Sequence, residues 1–334
     1  MKILFIGGSG NISSAVSQLA LKMGFDLYHL NRGARESISG VKTLIGDINN
    51  EKEVAQILET HTWDVVVDWI AFDSQDIDRD FSLFKQKTRQ FIFISTASAY
   101  QKPSEGFIIT EKTPLVNPFW DYSQKKINCE IRAFEYYHEH HFPVTIVRPS
   151  HTYNTVIPIP FGGWTEYTVA QRIINGEPVI VPGDGNTLWT LTHASDFAIG
   201  LIGLFGKTES IGEAYQITSD KVYTWNHIYN LLGNALGVEP KLLHISSEMI
   251  AGFAEANNYN SVRGTLLGDK AHCAVFDNTK IKSLVPTFND HIGFDQGIKT
   301  TLQWFNSDVN RKIINPSTNE FINQLTERWL NFQK

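Results

Sequence analysis

Three stretches of this chain place side chains where they could do chemistry. The first is Tyr122-Ser123-Gln124-Lys125-Lys126. Lys126 follows Tyr122 by four positions, so on a helix the two side chains share one face. A phenol titrates near about 10 and alone is a poor base at neutral pH. A neighbouring ammonium favours phenolate and moves it towards the range useful for proton transfer. Chance also produces Tyr-x-x-x-Lys on helices, so the pair gains its meaning from its surroundings. The second stretch, Phe91-Ile92-Phe93-Ile94-Ser95-Thr96-Ala97-Ser98-Ala99-Tyr100, is an apolar run ending in hydroxyls. The third, Ile3-Leu4-Phe5-Ile6-Gly7-Gly8-Ser9-Gly10-Asn11-Ile12-Ser13, reads as strand, glycine turn and helix start. Its glycines permit a tight turn and close approach of a pyrophosphate to backbone N–H groups. The helix N-terminus adds partial positive charge at the same place. A purely structural turn is the alternative, and the position at the first strand of a βαβ unit weighs against it.

The elements that must position these groups are legible by hydrophobic period. Residues 2–6, 26–30, 41–45, 65–69, 91–95 and 144–148 read as buried strands. Residues 12–23, 51–60, 75–87 and 122–140 read as helices between them, with a loop around Pro114 and Pro118. Alternation of this kind implies right-handed βαβ units, so the expected fold class is α/β, a doubly wound parallel-sheet Rossmann fold. The hydroxyls of the second stretch then lie at the carboxyl edge of the sheet, where such folds place their ligands. The second half is less regular, with a Gly/Pro tract, a short helix near 167–175, and Pro182-Gly183-Asp184-Gly185. Residues 213–218 could return as one more strand. The expected division is 1–155 plus about 190–222 as the dinucleotide-binding domain. About 156–189 and 223–334 then form a smaller, discontinuous C-terminal substrate lobe.

In a dinucleotide fingerprint, an acidic residue about 20 positions past the glycines holds the adenosine ribose. Here that strand ends Leu30-Asn31-Arg32-Gly33, with Arg35 close behind. No carboxylate is present to repel a 2′-phosphate, and guanidiniums are present to pair with one. A solvated basic loop is the alternative. NADP is favoured on this pattern, with NAD as the other candidate.

Composition narrows the remaining classes. Of 334 residues, 42% are hydrophobic and 19% charged, which excludes disordered, collagen-like and coiled-coil chains. A net charge of −6 offers no broad basic surface, so nucleic-acid partners are not expected. Cys129 and Cys273 cannot make a disulfide framework and fit a reducing compartment. No stretch has the length and apolarity of a membrane span or signal-peptide core. A cytoplasmic protein without membrane partners is the expectation.

Taken together and in order, these motifs resemble an extended short-chain dehydrogenase/reductase of the NAD-dependent epimerase/dehydratase family, as an atypical member. The likeness runs to about residue 220. The turn resembles Gly-x-x-Gly-x-x-Gly with Ser13 replacing the last glycine. Gly46-Asp47-Ile48 resembles a Gly-Asp-hydrophobic element whose Asp faces adenine. Residues 64–71 resemble the strand beneath the cofactor. Ser95 to Tyr100 resembles the Ser-Ser/Thr-x-x-x-Tyr strand end. Glu111-Lys112-Thr113-Pro114, Arg148-Pro149 with Tyr153, Pro182 to Gly185, and Thr192-His193-Ala194-Ser195-Asp196 follow as later landmarks.

The resemblance implies roles. Tyr122 moves a proton at a substrate oxygen, Lys126 binds the nicotinamide ribose and lowers the phenol pKa, and Thr96 fixes the same oxygen. Gly7, Gly10, Asn11, Ile12, Asn31, Arg32, Asp47, Ile48, Trp69 and Ala71 join Tyr122 and Lys126 around the cofactor. The implied activity is epimerisation or reduction of a sugar or nucleotide-sugar. Sugar 4,6-dehydration is disfavoured, because Ala97 and Ser98 stand where that branch carries Asp-Glu. A non-catalytic cofactor sensor or RNA-binding protein on the same fold is the alternative, which the intact triad opposes. A homodimer through residues 75–87 and 122–140 is also implied, using Phe81, Leu83, Phe84, Ile127, Ile131 and Phe134.

Substrate contacts are expected from Ser98, Trp164, Trp189, His193 and Arg263, where Trp164, Trp189 and His193 could instead be packing. Phe161 and Trp225 are further pocket-or-core aromatics. Arg172, Lys221, Arg263 and Lys270 are the cations best placed for a substrate diphosphate. His138, His140 and His141 read as a helix C-terminal cap, and no metal site is expected.

Overall fold

A computed structural model of the chain describes residues 1–34, 36–164 and 166–332. Arg35, part of the basic loop expected near the cofactor, lies outside them. The chain begins β1 (Lys2–Ile6), α1 (Ser13–Lys22), β2 (Asp26–Asn31), β3 (Lys42–Ile45), α2 (Glu51–Ile57), β4 (Val65–Asp68), α3 (Ser74–Phe84) and β5 (Phe91–Ile94). It continues through α4 (Asp121–His140), β6 (Val144–Pro149), β7 (His151–Tyr153), α5 (Thr168–Ile174), β8 (Pro178–Pro182), β9 (Leu188–His193), α6 (Ala194–Gly203) and β10 (Ala214–Ile217). The last part holds β11 (Val222–Thr224), α7 (Trp225–Leu236), β12 (Lys241–Ile245), α8 (Ser247–Ala256), α9 (Asn260–Thr265), α10 (Thr279–Leu284), α11 (Phe294–Asn306) and α12 (Pro316–Phe332).

Seven strands form one parallel sheet in the order β10-β6-β5-β4-β1-β2-β3. Its central strands β1, β4 and β5 are apolar runs buried on both faces, as a sheet covered by helices on each side requires. Strand order reverses between β1 and β4, which opens a crevice at their carboxyl ends. Two apolar clusters sandwich the sheet, and a third fills the lobe built from β7 onward. Within residues 190–222, α6 packs on α1 and β10 pairs with β6. The end of β9 departs from that sheet and joins β7 and β11 in a separate three-stranded one.

Under the crevice runs a buried polar chain. Glu130 of α4 holds Arg148 of β6 through Nη2–Oε2 at 2.5 Å and Nε–Oε1 at 3.0 Å. Ser95 Oγ donates to Glu130 Oε1 at 2.5 Å. Arg148 Nη1 donates to the Tyr100 hydroxyl at 3.2 Å, which donates to Gln216 Oε1 at 2.9 Å. All five residues are buried. The chain therefore ties α4 to the ends of β5, β6 and β10. Satisfied throughout, such a network fixes geometry, whereas removing one partner strands a charge.

The face expected to pair two copies is largely used within the chain. Leu83 and Phe84 are buried against the sheet, and Phe81 stacks on Tyr136 at 3.8 Å. Ile131 is 52% exposed beside the Arg132–Asp78 ion pair. His141 closes α4 in the left-handed conformation (φ 54°), and His140 packs on Phe81.

Glu130→Ala is expected to cost about 3–5 kcal/mol, since it leaves the Arg148 guanidinium buried and unpaired. Adding Arg148→Met should recover part of that loss. Urea unfolding of the three variants checks it, and a single substitution within about 0.5 kcal/mol of wild type would show the pair to be incidental.

Candidate active site

At the carboxyl ends of β1, β2, β4 and β5 lies a cleft of about 770 Å³. Gly7 (φ +96°) and Gly8 (φ +99°) turn the chain there in a conformation that side chains rarely adopt. A Cβ on Gly8 would stand 2.6 Å from the His29 ring. That ring is buried against Ser17 Oγ at 2.9 Å, and burial lowers its pKa to about 4, keeping it neutral. Ser13, where a third glycine is expected, accepts a hydrogen bond from Gly10 N at 2.8 Å and so braces the turn. No side chain caps the N-terminus of α1; the N–H groups of Ser14, Ala15 and Val16 close onto the carbonyls of Gly10 and Ile12, and the positive end of the helix dipole lies at the cleft wall. Asn11 fastens the turn to the lobe, donating to Thr152 O and accepting from Thr155 N, each at 2.9 Å.

Gly7, Gly10, Asn11, Ile12, Asn31, Arg32, Asp47, Ile48, Trp69, Tyr122 and Lys126 all line this one cleft. The glycine cradle and the helix N-terminus beside it fit a dinucleotide. Asn31 Oδ1 accepts from Gly33 N at 2.9 Å, while Arg32 is exposed on the cleft wall. Ala71 is fully buried and contributes its carbonyl rather than its surface. The floor beneath Trp69 is set by Asp68, whose Oδ1 accepts from Ile70 N at 2.5 Å and Ala71 N at 2.9 Å. Arg79, itself buried, approaches the second oxygen of Asp68 at 3.6 Å.

Beyond the glycine turn, Thr96 follows the end of β5 and acts on the Tyr122 phenol, while Tyr122 and Lys126, from the first turns of α4, both line the cleft. Thr96 Oγ1 accepts from Ser98 N at 3.2 Å and shares a hydrogen bond with Ser98 Oγ at 3.1 Å. Ser123 Oγ donates to Ser98 Oγ at 2.8 Å, locking that hydroxyl row to α4. Lys126 Nζ donates to Ala71 O at 2.7 Å and Ile94 O at 2.8 Å, and burial lowers its pKa to about 8.

Tyr122 differs from expectation in one respect. Burial raises its pKa to about 12, opposed by the Thr96 hydroxyl and not by Lys126. The ring packs between Trp120 and Phe72, with centroids at 4.8 and 6.3 Å, while the ammonium is turned onto the two carbonyls. In the protein alone the phenol is thus protonated at neutral pH.

Residues 3–218 match the family model described as NAD dependent epimerase/dehydratase family. The chain belongs to that family. A 2'-dehydrokanamycin reductase of Streptomyces kanamyceticus is 21% identical over 300 residues, covering 88% of this chain and 81% of the relative. An epimerase from Methanothermobacter thermautotrophicus superposes with a TM-score of 0.73 at 15% identity, over 92% of this chain and 93% of its own. The NAD-bound UDP-glucuronic acid 4-epimerase of Bacillus cereus gives 0.71 at 19% identity, over 92% and 99%.

The candidate substrate residues of this family member separate into distinct places. Trp164 is 47% exposed on the cleft wall, against His151 at 5.3 Å. Arg263 pairs loosely with Glu255 at 3.6 Å and lines a second hollow of about 540 Å³ with Phe72, Trp120 and Tyr122. Ser98 is buried and positions Thr96. Trp189 is 1% exposed and packs on Trp225 at 5.0 Å, so it is lobe core rather than an open stacking face, as is Phe161. His193 caps α6, accepting from Ser195 N at 3.2 Å, and packs edge-on against Tyr153. Arg172 is spent on Pro178 O, Asn319 and Asn323, and Lys221 on Asp290 O. Neither reaches the cleft. Two groups that spacing does not single out belong beside the phenol: Trp120, and Asp269, whose charge acts on Tyr122.

Gly8→Ala is expected to destabilise the fold by about 1–3 kcal/mol, from strain at positive φ and the clash with His29. It should also weaken dinucleotide binding about tenfold or more. Adding His29→Ala should restore stability in part and binding less. Thermal unfolding and calorimetric titration check both, and a Gly8→Ala protein with native stability would contradict the account of the turn.

Proposed function

We propose that the chain is an NAD(P)-dependent oxidoreductase that reduces a ketone carbon of a sugar or nucleotide-sugar. Epimerisation through the same groups is the second reading. The observation that carries the proposal is that Tyr122 and Lys126 both line the glycine-turn cleft, with the Thr96 hydroxyl acting on the phenol. Tyr122 Oη, protonated in the free protein, hands its proton to the substrate oxygen, and Thr96 Oγ1 holds that oxygen in line. Lys126, fixed by two carbonyls, would hold the nicotinamide ribose. When bound, the nicotinamide supplies the hydride, chemistry that belongs to the cofactor.

Two features favour reduction. The adenosine end is open to solvent at Arg32 and Ala34, which suits a cofactor that exchanges each cycle, and the curated relative is a reductase. Epimerisation is supported by the fold neighbours, one of which is an epimerase solved with UDP-glucuronic acid and NAD. Dehydration at C4–C6 is disfavoured because the turn after Thr96 offers only Ala97 and Ser98. A purely binding role is disfavoured by the intact triad. A preference for NADP belongs to the same reading, since Arg32 reaches the cleft where a carboxylate would exclude the 2′-phosphate. A cytoplasmic homodimer through α3 and α4, with Ile131 as its exposed apolar contact, completes it.

Tyr122→Phe should lower turnover by about 10² or more with cofactor affinity retained. Steady-state rates on a panel of keto-sugars and nucleotide-sugars test this, and turnover at the wild-type rate sinks the mechanism. NADPH should bind several-fold to about tenfold tighter than NADH, with Arg32→Ala removing most of the difference. Fluorescence titrations at one salt concentration decide it, and tighter NADH binding by the wild type would place Arg32 out of contact.

A further inference from the structure

Three carboxyl groups and one guanidinium are packed beneath the turn that follows β4. Asp68 and Asp80 are fully buried and Arg79 nearly so, while Asp76 is partly open. Arg79 Nε and Nη2 both donate to Asp80 Oδ1 at 3.0 Å, and Nη1 donates to Asp76 Oδ1 at 2.7 Å. The same Nη2 stands 3.6 Å from Asp68 Oδ2, too far for a hydrogen bond. Asp68 Oδ2 and Asp80 Oδ2 are therefore buried beside one guanidinium and meet no donor among the described residues. Ionised carboxylates only accept hydrogen bonds, and two of them side by side out of water repel. A proton held between them turns one into the donor that the other lacks. Burial, and after it the presence of Asp68, pushes the Asp80 carboxyl well above the ordinary carboxylate range against the pull of Arg79.

This pair bears on the cleft through the backbone. Asp68 Oδ1 accepts from Ile70 N and Ala71 N, and Ala71 O accepts from Lys126 Nζ at 2.7 Å. Asp76 Oδ2 accepts from Phe72 N at 2.7 Å and from Asp73 N at 3.2 Å. The turn 69–73 thus hangs from the acid cluster, and Trp69, Ile70, Phe72 and Lys126 all line the cleft. One proton also balances the charge. Asp76 and the pair then carry two negative charges, against Arg79 and the Lys126 ammonium, on which both Asp68 and Asp76 act. The other titratable groups facing this region are Asp73 at the N-cap of α3, and Cys129 and Glu130 on α4.

We propose that Asp68 and Asp80 share one proton, and that this protonated pair is a positioning device for the cofactor, setting the Ala71 carbonyl on which Lys126 rests. The positioning role rests on the reading of the cleft as a dinucleotide site, whereas the shared proton does not. Asp68 and Asp80 touch neither cofactor nor substrate in this account; they act through the turn and through Lys126.

The first test is infrared difference spectroscopy of the full chain without cofactor, comparing wild type with Asp80→Asn and Asp68→Asn. Each asparagine supplies the N–H that the proton had supplied, so the pairing and the fold are kept. The C=O stretch of a protonated carboxyl group should appear in wild type and be lost in both variants, although each replaces only one of the two acids. No such difference, or a band that survives in Asp68→Asn, overturns the shared proton. The second test is calorimetric titration with oxidised NADP. At neutral pH Asp80→Asn should bind within about twofold of wild type, and Asp68→Ala, which frees two backbone N–H groups, about tenfold or more weakly. As pH rises and the carboxyl band fades, wild type should lose affinity while Asp80→Asn, which has no proton to lose there, holds it. Lys126 titrates in both proteins and cancels from that comparison. Native affinity in Asp68→Ala, or a fading band with no loss of affinity relative to Asp80→Asn, overturns the positioning role. The infrared pattern in a wild type that binds neither NADP nor NAD would keep the shared proton and remove the dinucleotide reading of the cleft.

Discussion

The Glu130–Arg148 ion pair is the contact on which the geometry of the site depends. Thr96 follows β5, Tyr122 and Lys126 lie on α4, and β6, which follows α4 directly, carries Arg148. Apolar packing holds them together, but oil-like contact alone sets register only loosely. A buried carboxylate that must meet a guanidinium and the Ser95 hydroxyl at once permits one placement of α4. Tyr122 and Lys126 lie on that helix, two turns and one turn before Glu130, and Thr96 follows Ser95 directly. The network thus holds these residues from beneath and meets the cleft only at Ser95.

A second constraint acts from above. Trp120 fits against Gly264 and Gly268, where a Cβ would stand 2.7 and 2.6 Å from its side chain. This lets the lobe segment close over the start of α4 and enclose the Tyr122 ring. Enclosure raises the phenol pKa and, with Lys126 bonded to carbonyls, leaves it undrawn by any cation. The phenol is therefore protonated in the free protein, and positive charge brought into the cleft would shift it towards phenolate.

Much of this was legible in the sequence because its physics is local. Parallel strands covered on both sides show as unbroken apolar runs, so β1, β4, β5 and β6 stand out, and positive-φ turns show as glycines at 7 and 8. The i, i+4 rule placed Tyr122 and Lys126 on one face of α4. What stayed hidden depends on distant partners. β9 carries no mark that it pairs with β7 and β11 rather than with the large sheet. Trp189 and Trp164 look alike as aromatics, yet one is sealed against Trp225 and the other walls the cleft. Ser13 looked like a lost glycine and turned out to brace Gly10.

The most direct test of the central claim is the ionisation of Tyr122 followed by tyrosinate absorbance. Wild type and Tyr122→Phe are compared near about pH 10, with and without oxidised NADP. The account predicts no Tyr122 tyrosinate in the free protein, and its appearance in wild type alone when the positively charged nicotinamide binds. Tyrosinate at Tyr122 before cofactor is added, or none after, would contradict it.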